Sequence, residues 1–191
     1  MAKSITNKII KNFLSKEELK LIDSYLSLRH KFNENIELFP QTNDASLNLT
    51  GLGWTGVSGY GDPLCDSLLL CKKELMEKET GLSLLPTYAY WRMYTYGSYL
   101  KKHKDRPSCE ISVTLHLGGD KKWPIFVEGK SFLLKPGDAI IYRGCEQEHW
   151  REKFYGDWYS QLFIHYVNAN GPNKEWYRDK RKEWGTPPGF K

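Results

Sequence analysis

SYLKKHKDRPSCEISVTLHL, residues 98–117, joins two unlike halves. CEISVTLHL alternates as a strand does, setting Ser112, Thr114 and His116 on one face and Val113, Leu115 and Leu117 on the other. The half before it is a charged segment with His103 and Asp105 one residue apart. In an extended chain residues i and i+2 point the same way, so an HxD unit offers an imidazole and a carboxylate to one point. Alone, the tripeptide also suits a surface turn, and Lys101, Lys102 and Lys104 favour that reading. Its surroundings decide between the two.

On either side stand further strand-like runs, PTYAYWRMYTY, KWPIFVEG, KSFLLKPGDAIIYRG, EHWREKF and DWYSQLFIHYV, parted by the turn signals GGDKK, KPGD and FYGD. Strands in series without an intervening helix predict an antiparallel sandwich of jelly-roll type over residues 86–168. Alternation in the first run puts Tyr90, Arg92 and Tyr94 on a common face.

Before residue 86 the pattern is helical. KIIKNFLSKEELKLIDSYLS reads as a short strand and then a helix capped by Ser15. Glu18 is its capping-box partner, Leu14 and Leu19 form a hydrophobic staple, and Leu19, Ile22 and Leu26 make an apolar stripe. A second helix is predicted from Asp62-Pro63 to about Thr80, ahead of Gly81, packing through Leu64, Leu68, Cys71 and Leu75. Residues 30–61, rich in Gly, Asn, Thr and Ser, read as a lid loop with Trp54 and Tyr60 as substrate contacts. The fold class is therefore mainly β with N-terminal helices (α+β), two helices covering one face of the sheet.

The chain has 191 residues, 40% hydrophobic and 14% aromatic, enough for one domain with a sizeable core. Its expected parts are residues 1–85 (helices and lid), 86–168 (β core) and 169–191 (basic extension). No apolar run approaches the roughly 20 residues that span a bilayer, and the N-terminus lacks the marks of a signal peptide, so a cytoplasmic protein is expected. Cys65, Cys71, Cys109 and Cys145 form no CxxC pair and read as free thiols. Much of the net charge of +5 falls in NKEWYRDKRKEWGTPPGFK, where Trp176, Tyr177, Trp184 and Phe190 stand among Lys and Arg. Such a segment either grips nucleic acid or packs back on the domain. The second is expected here, without a nucleic-acid or membrane partner.

A third ligand turns the HxD unit into a site. His149 in EQEHWRE follows several strands later, where a sheet that folds back brings it beside the first strand. Two His and one carboxylate form the facial set that holds non-haem Fe(II) with coordination positions open. Taken together, HKD, KPGDAIIYRG and EHWRE resemble the 2-oxoglutarate and Fe(II)-dependent oxygenase superfamily, in particular its prolyl-hydroxylase-like branch.

That resemblance implies a double-stranded β-helix core and a dioxygenase that hydroxylates its substrate with release of succinate and CO2. It gives His103, Asp105 and His149 as iron ligands, 2-oxoglutarate as cosubstrate and ascorbate as an accessory reductant. Similar enzymes hold the C5 carboxylate of 2-oxoglutarate with an Arg or Lys about nine or ten residues after the distal His; those positions here are Trp158 and Tyr159. Arg151 is expected to take over, pointing inward with His149 and facing Ser160 across a hairpin, with Arg92 as its rival. Tyr94 and His116 fall near positions that hydrogen-bond the 2-oxo acid, and Arg106 and Arg143 flank the mouth as substrate contacts. The substrate is a small molecule or a peptidyl side chain, and the protein a monomer or homodimer. Two other readings stand beside this one: a cupin-like metal enzyme that uses no 2-oxo acid, and a non-catalytic β-sandwich binding module.

Overall fold

A computed structural model describes residues 7–32 and 56–186. The chain runs through β1 (Lys8–Ile10), α1 (Lys16–Phe32), β2 (Gly56–Tyr60), α2 (Pro63–Cys71), α3 (Lys73–Thr80), β3 (Leu84–Thr95), β4 (Leu100–His103), β5 (Ile111–Gly119), β6 (Ile125–Val127), β7 (Lys130–Phe132), β8 (Ala139–Tyr142), β9 (His149–Arg151) and β10 (Trp158–Asn168). These strands make two antiparallel sheets: a large one in the order β1-β8-β5-β10-β3-β2 and a small one in the order β4-β9-β6-β7.

The helices cover the outer face of the large sheet, as the sequence predicts. Ile22 and Leu26 of α1, Leu68 and Leu69 of α2 and Met76 of α3 share one core with Trp91, Val113, Leu115, Leu117, Leu162 and Ile164. The side chains that alternate with these strand residues face the small sheet, and between the two sheets lies the site.

Local signals place the first helix. Glu18 N donates to Ser15 Oγ at 3.1 Å and Ser15 N to Glu18 Oε2 at 2.7 Å, which is the expected capping box. Leu14 is buried and Leu19 packs against the core. The PGD turn is tied to the same region, for Asp138 accepts from Asn12 N at 3.0 Å and Leu14 N donates to Gly137 O at 3.1 Å.

The second helix starts as read, with Asp62 accepting from Leu64 N and Cys65 N, and stops at Gly81 with φ 70. Two details differ. The helix breaks at Lys72 (φ −86, ψ −2) into α2 and α3. Its buried face centres on Cys65, Asp66, Leu68 and Leu69, while Cys71 is exposed. The cause is Asp66, whose carboxylate accepts from Ala89 N at 3.0 Å, Arg181 at 2.8 Å and Gly185 N at 2.9 Å, turning this polar residue inward.

β2 falls within the segment expected to be a loop, because GVSGY carries no apolar alternation. A Cβ at Gly59 would overlap the indole of Trp91, so glycine lets this strand close against β3. Most of the expected lid, Trp54 included, lies outside the described residues.

The basic extension packs back on the domain. Arg181 and Asp66 form an ion pair with both side chains 1% exposed, Arg181 also donates to Thr87 O at 3.0 Å, and Trp184 rests on the core. Arg178, Asp179 and Lys180 hold three consecutive left-handed conformations, φ 54, 53 and 59. Among the described residues no helix is long and apolar enough to cross a membrane.

Candidate metal centre

β4 and β9 lie side by side, with His103 and His149 as register partners. The pairing shifts register between Leu100 and His103, and Asp105 follows β4 with its backbone N bonded to Gly144 O at 2.9 Å. His103 Nε2 and His149 Nε2 stand 3.5 and 3.4 Å from the same oxygen, Asp105 Oδ1. Ligand atoms of all three residues lie within 4.8 Å of one another. Each imidazole is steered from behind by a backbone carbonyl, His103 Nδ1 by Lys101 O at 2.7 Å and His149 Nδ1 by Gln147 O at 3.0 Å. Carbonyls accept only, so each Nδ1 carries the proton and each Nε2 is the nitrogen turned to the centre.

The electrostatics concentrate negative charge on Asp105. Burial opposes its ionisation, yet hydrogen bonds from His103 and His149 outweigh this and hold its carboxyl well below the usual carboxylate range. For His103 burial again disfavours charge, and the bonds to Asp105 and Lys101 O win, raising its pKa. A carboxylate that draws a proton to the His103 imidazole draws a divalent cation for the same reason. Two nitrogens, one oxygen and no thiolate suit Fe(II) and fit a structural zinc poorly.

The centre opens on a cavity of about 140 Å³ lined also by Tyr88, Tyr90, Arg92, Tyr142, Arg151, Phe163 and His165. Arg151 is 2% exposed. Its guanidinium stands 4.7 Å from the Trp123 ring and 5.3 Å from that of Tyr159, and it donates to Trp123 O. Its Nε finds no partner among the described residues, and none of their ion pairs includes it.

The expected hairpin does not form. β9 belongs to the small sheet and β10 to the large one, so residues 152–157 carry the chain across the sandwich instead of turning back beside it. Ser160 pairs with Met93 on the helix-covered side, away from Arg151. Tyr159 points inward in its place, in register with Tyr94. Arg151 thus reaches the vicinity of residue 159 from the opposite sheet.

Other expected residues are distributed around this point. Tyr94 packs in a cluster with Trp123 and Tyr159, and His116 stacks on Tyr159 at 4.3 Å; both stand behind Arg151 and off the cavity wall. Burial, helped by the charge of Arg151, lowers the His116 pKa to about 4, so the ring is neutral. Arg92 lines the cavity, its guanidinium 4.7 Å from the Tyr90 ring. Arg106 is engaged in a two-pronged ion pair with Asp179 at 2.6 and 2.5 Å, and Asp179 also accepts from Tyr60. Arg143 pairs with Glu146. Arg106, Arg143 and Tyr60 are thus held by intramolecular partners.

Three inward residues escaped the sequence reading. Tyr142 bonds Thr114 Oγ1 at 3.1 Å and lies 4.8 Å from the His149 ring. Trp123 forms the shelf for Arg151. Gln161 is fully buried in register with Arg92 and His116, and neither of its amide atoms finds a partner among the described residues. Alternation along DWYSQLFIHYV, counted from Tyr159 and not from Ser160, would have found Gln161.

Comparison with protein-family models and with curated protein sequences finds no match. Solved structures do match. A prolyl-4-hydroxylase from Pseudomonas putida superposes with a TM-score of 0.64 at 15% identity, over 85% of this chain and 92% of that one. The α-ketoglutarate-dependent epimerase SnoN from nogalamycin biosynthesis gives 0.66 at 13% identity, over 95% and 89%. HygX from Streptomyces hygroscopicus, solved with nickel and 2-oxoglutarate bound, gives 0.61 at 11%, over 86% and 83%. The chain has the double-stranded β-helix fold of the 2-oxoglutarate–Fe(II) oxygenases, the superfamily whose prolyl-hydroxylase-like branch its motifs resemble.

Proposed function

We propose that this protein is an Fe(II)- and 2-oxoglutarate-dependent dioxygenase that hydroxylates a small molecule or a peptidyl side chain and releases succinate and CO2. The observation that carries the reading is the convergence of two imidazole Nε2 atoms on Asp105 Oδ1, each imidazole fixed in its metal-binding tautomer by a backbone carbonyl. His103, Asp105 and His149 would hold the metal. When bound, ferrous iron supplies the redox chemistry by which dioxygen breaks down the 2-oxo acid and hydroxylates a C–H bond.

The remaining residues bind and orient. Arg151 is a buried cation on the cavity wall, and a buried cation is costly without an anion, so it takes the distal carboxylate of 2-oxoglutarate. Tyr159 and Trp123 fix the plane of its guanidinium. Tyr90, Phe163 and Tyr142 wall the cavity with aromatic surface and limit water beside the metal ligands. The HygX structure holds nickel and 2-oxoglutarate together within the same fold, which supports this assignment.

The replacement of the usual cation by Tyr159 favours a second reading, a cupin-like metal enzyme without a 2-oxo acid. The guanidinium of Arg151 beside that ring weighs against it. Tryptophan fluorescence separates the two: quenching by 2-oxoglutarate that requires Mn(II), with succinate formed once Fe(II) and substrate are present, is expected. Quenching that is indifferent to the metal, or metal binding undiminished in His103→Ala, Asp105→Ala and His149→Ala, overturns the proposal.

A further inference from the structure

Behind the metal centre is a second group of polar side chains that the ligand set does not account for. Asp105 turns Oδ1 to the two imidazoles and Oδ2 away from them. Oδ2 meets Ser112 Oγ at 3.3 Å, and the same hydroxyl lies 3.1 Å from Cys109 O and 3.0 Å from His165 Nδ1. Ser112 and His165 are cross-strand partners of β5 and β10, both buried. Gly144 closes the group on its other side, where a Cβ would overlap Ser112 Oγ and Asp105 Oδ2.

The proton count decides how these atoms connect. Ser112 has one hydroxyl proton, while Cys109 O and Asp105 Oδ2 can only accept. If that proton went to His165 Nδ1, both oxygens would face the lone pairs of Ser112 across about 3 Å with no proton between them, the situation that makes an unsatisfied buried polar atom expensive. The arrangement that satisfies the group has His165 Nδ1–H donating to Ser112 Oγ and the hydroxyl donating toward Asp105 Oδ2 and Cys109 O. His165 Nε2 is then left without a proton, on a ring that lines the cavity.

We propose that His165 and Ser112 are positioning residues that hold Asp105 Oδ2 away from the metal, so that Asp105 offers one oxygen as ligand and not two. The inference rests on the reading of His103, Asp105 and His149 as metal ligands. Its consequence is chemical: a carboxylate bound through both oxygens fills one more coordination position, and a 2-oxo acid and dioxygen together need three. Ser112 and Gly144 therefore guard an open position from behind, Ser112 by a hydrogen bond and Gly144 by having no side chain to push Oδ2 forward.

The test uses the full chain and Co(II), whose visible bands report coordination number, and needs no substrate. Ser112→Ala and His165→Leu are expected to weaken Co(II) binding about 10- to 100-fold and to change the shape and intensity of the visible bands. His165→Asn, which keeps an N–H near the Nδ1 position, is expected to restore the wild-type spectrum. Wild-type affinity and spectrum in Ser112→Ala, with the wild type itself binding Co(II), overturn the positioning role and leave the metal site standing. Failure of the wild type to bind Co(II) overturns the metal site and this inference with it. Ser112→Ala removes a single oxygen, so it decides the matter if His165→Leu does not fold.

Discussion

Arg151 and Tyr159 belong to different sheets, yet the guanidinium of one stands 5.3 Å from the ring of the other. The pairing sets a buried cation of the small sheet against a ring of the large one. Arg151→Leu is expected to raise the 2-oxoglutarate concentration for half-saturation of the Mn(II)-loaded protein by roughly 30- to 100-fold, the equivalent of about 2–3 kcal/mol for a charge-assisted bond. Tyr159→Phe, which keeps the ring, should shift it only a few-fold. Unchanged binding in Arg151→Leu with loss in Arg92→Leu would move the role to Arg92.

Arg181 and Asp66 are both enclosed, and each is the other's charge partner. Removing one strands the other in the interior, so Arg181→Ala is expected to lower the unfolding free energy by about 3–5 kcal/mol. Urea denaturation measures this, and a loss below about 1 kcal/mol would show that the tail contributes little to holding the helices on the sheet.

His116 ties stability to pH. Its pKa falls from the ordinary 6.5 to about 4 in the folded chain, so between these values the unfolded chain binds the proton and the folded chain does not. Stability from this residue is complete above about pH 6.5 and declines as pH drops toward 4. Between pH 7 and 5 the wild type should lose about 2 kcal/mol more than His116→Gln, compared by denaturant unfolding at each pH. Equal losses would contradict the buried neutral ring.

Gly59→Ala sets a methyl group against the Trp91 indole at the β2–β3 contact. Overpacking of this kind costs typically about 1–3 kcal/mol, and thermal unfolding should register it. The same substitution at Gly129, where a Cβ meets nothing within 4 Å, tests only the positive φ of 77 and serves as the comparison.

Legibility followed the range of the interactions. The Ser15–Glu18 box, the Asp62 cap and the alternation of β5 act within a few residues, and each appears in the structure where its pattern lies. HxD with a distal His was readable as a set because the strands between them signalled a sheet returning on itself. Ser160 was misplaced because EHWREKF and DWYSQLF look the same whether the link between them turns back or crosses to the other sheet. The partner of Arg106 was invisible, since nothing near RPSC announces an aspartate 73 positions away. Gln161 and Tyr142 went unnoticed among apolar neighbours, where only the facing sheet gives a polar side chain its meaning.

The union of Asp179 with Arg106 and of Arg181 with Asp66 also sets an order of assembly. A chain synthesised from its N-terminus exposes every strand of both sheets before residues 179 and 181 exist, and β1 must itself wait for β8 at the sheet edge. Closures over such separations lose much loop entropy before contacts repay it, and topologies dominated by them fold slowly. The clasp beside Asp105 thus cannot close until residue 179 has been made, and a nascent chain halted short of it would carry all three candidate metal ligands with Arg106 still unclasped.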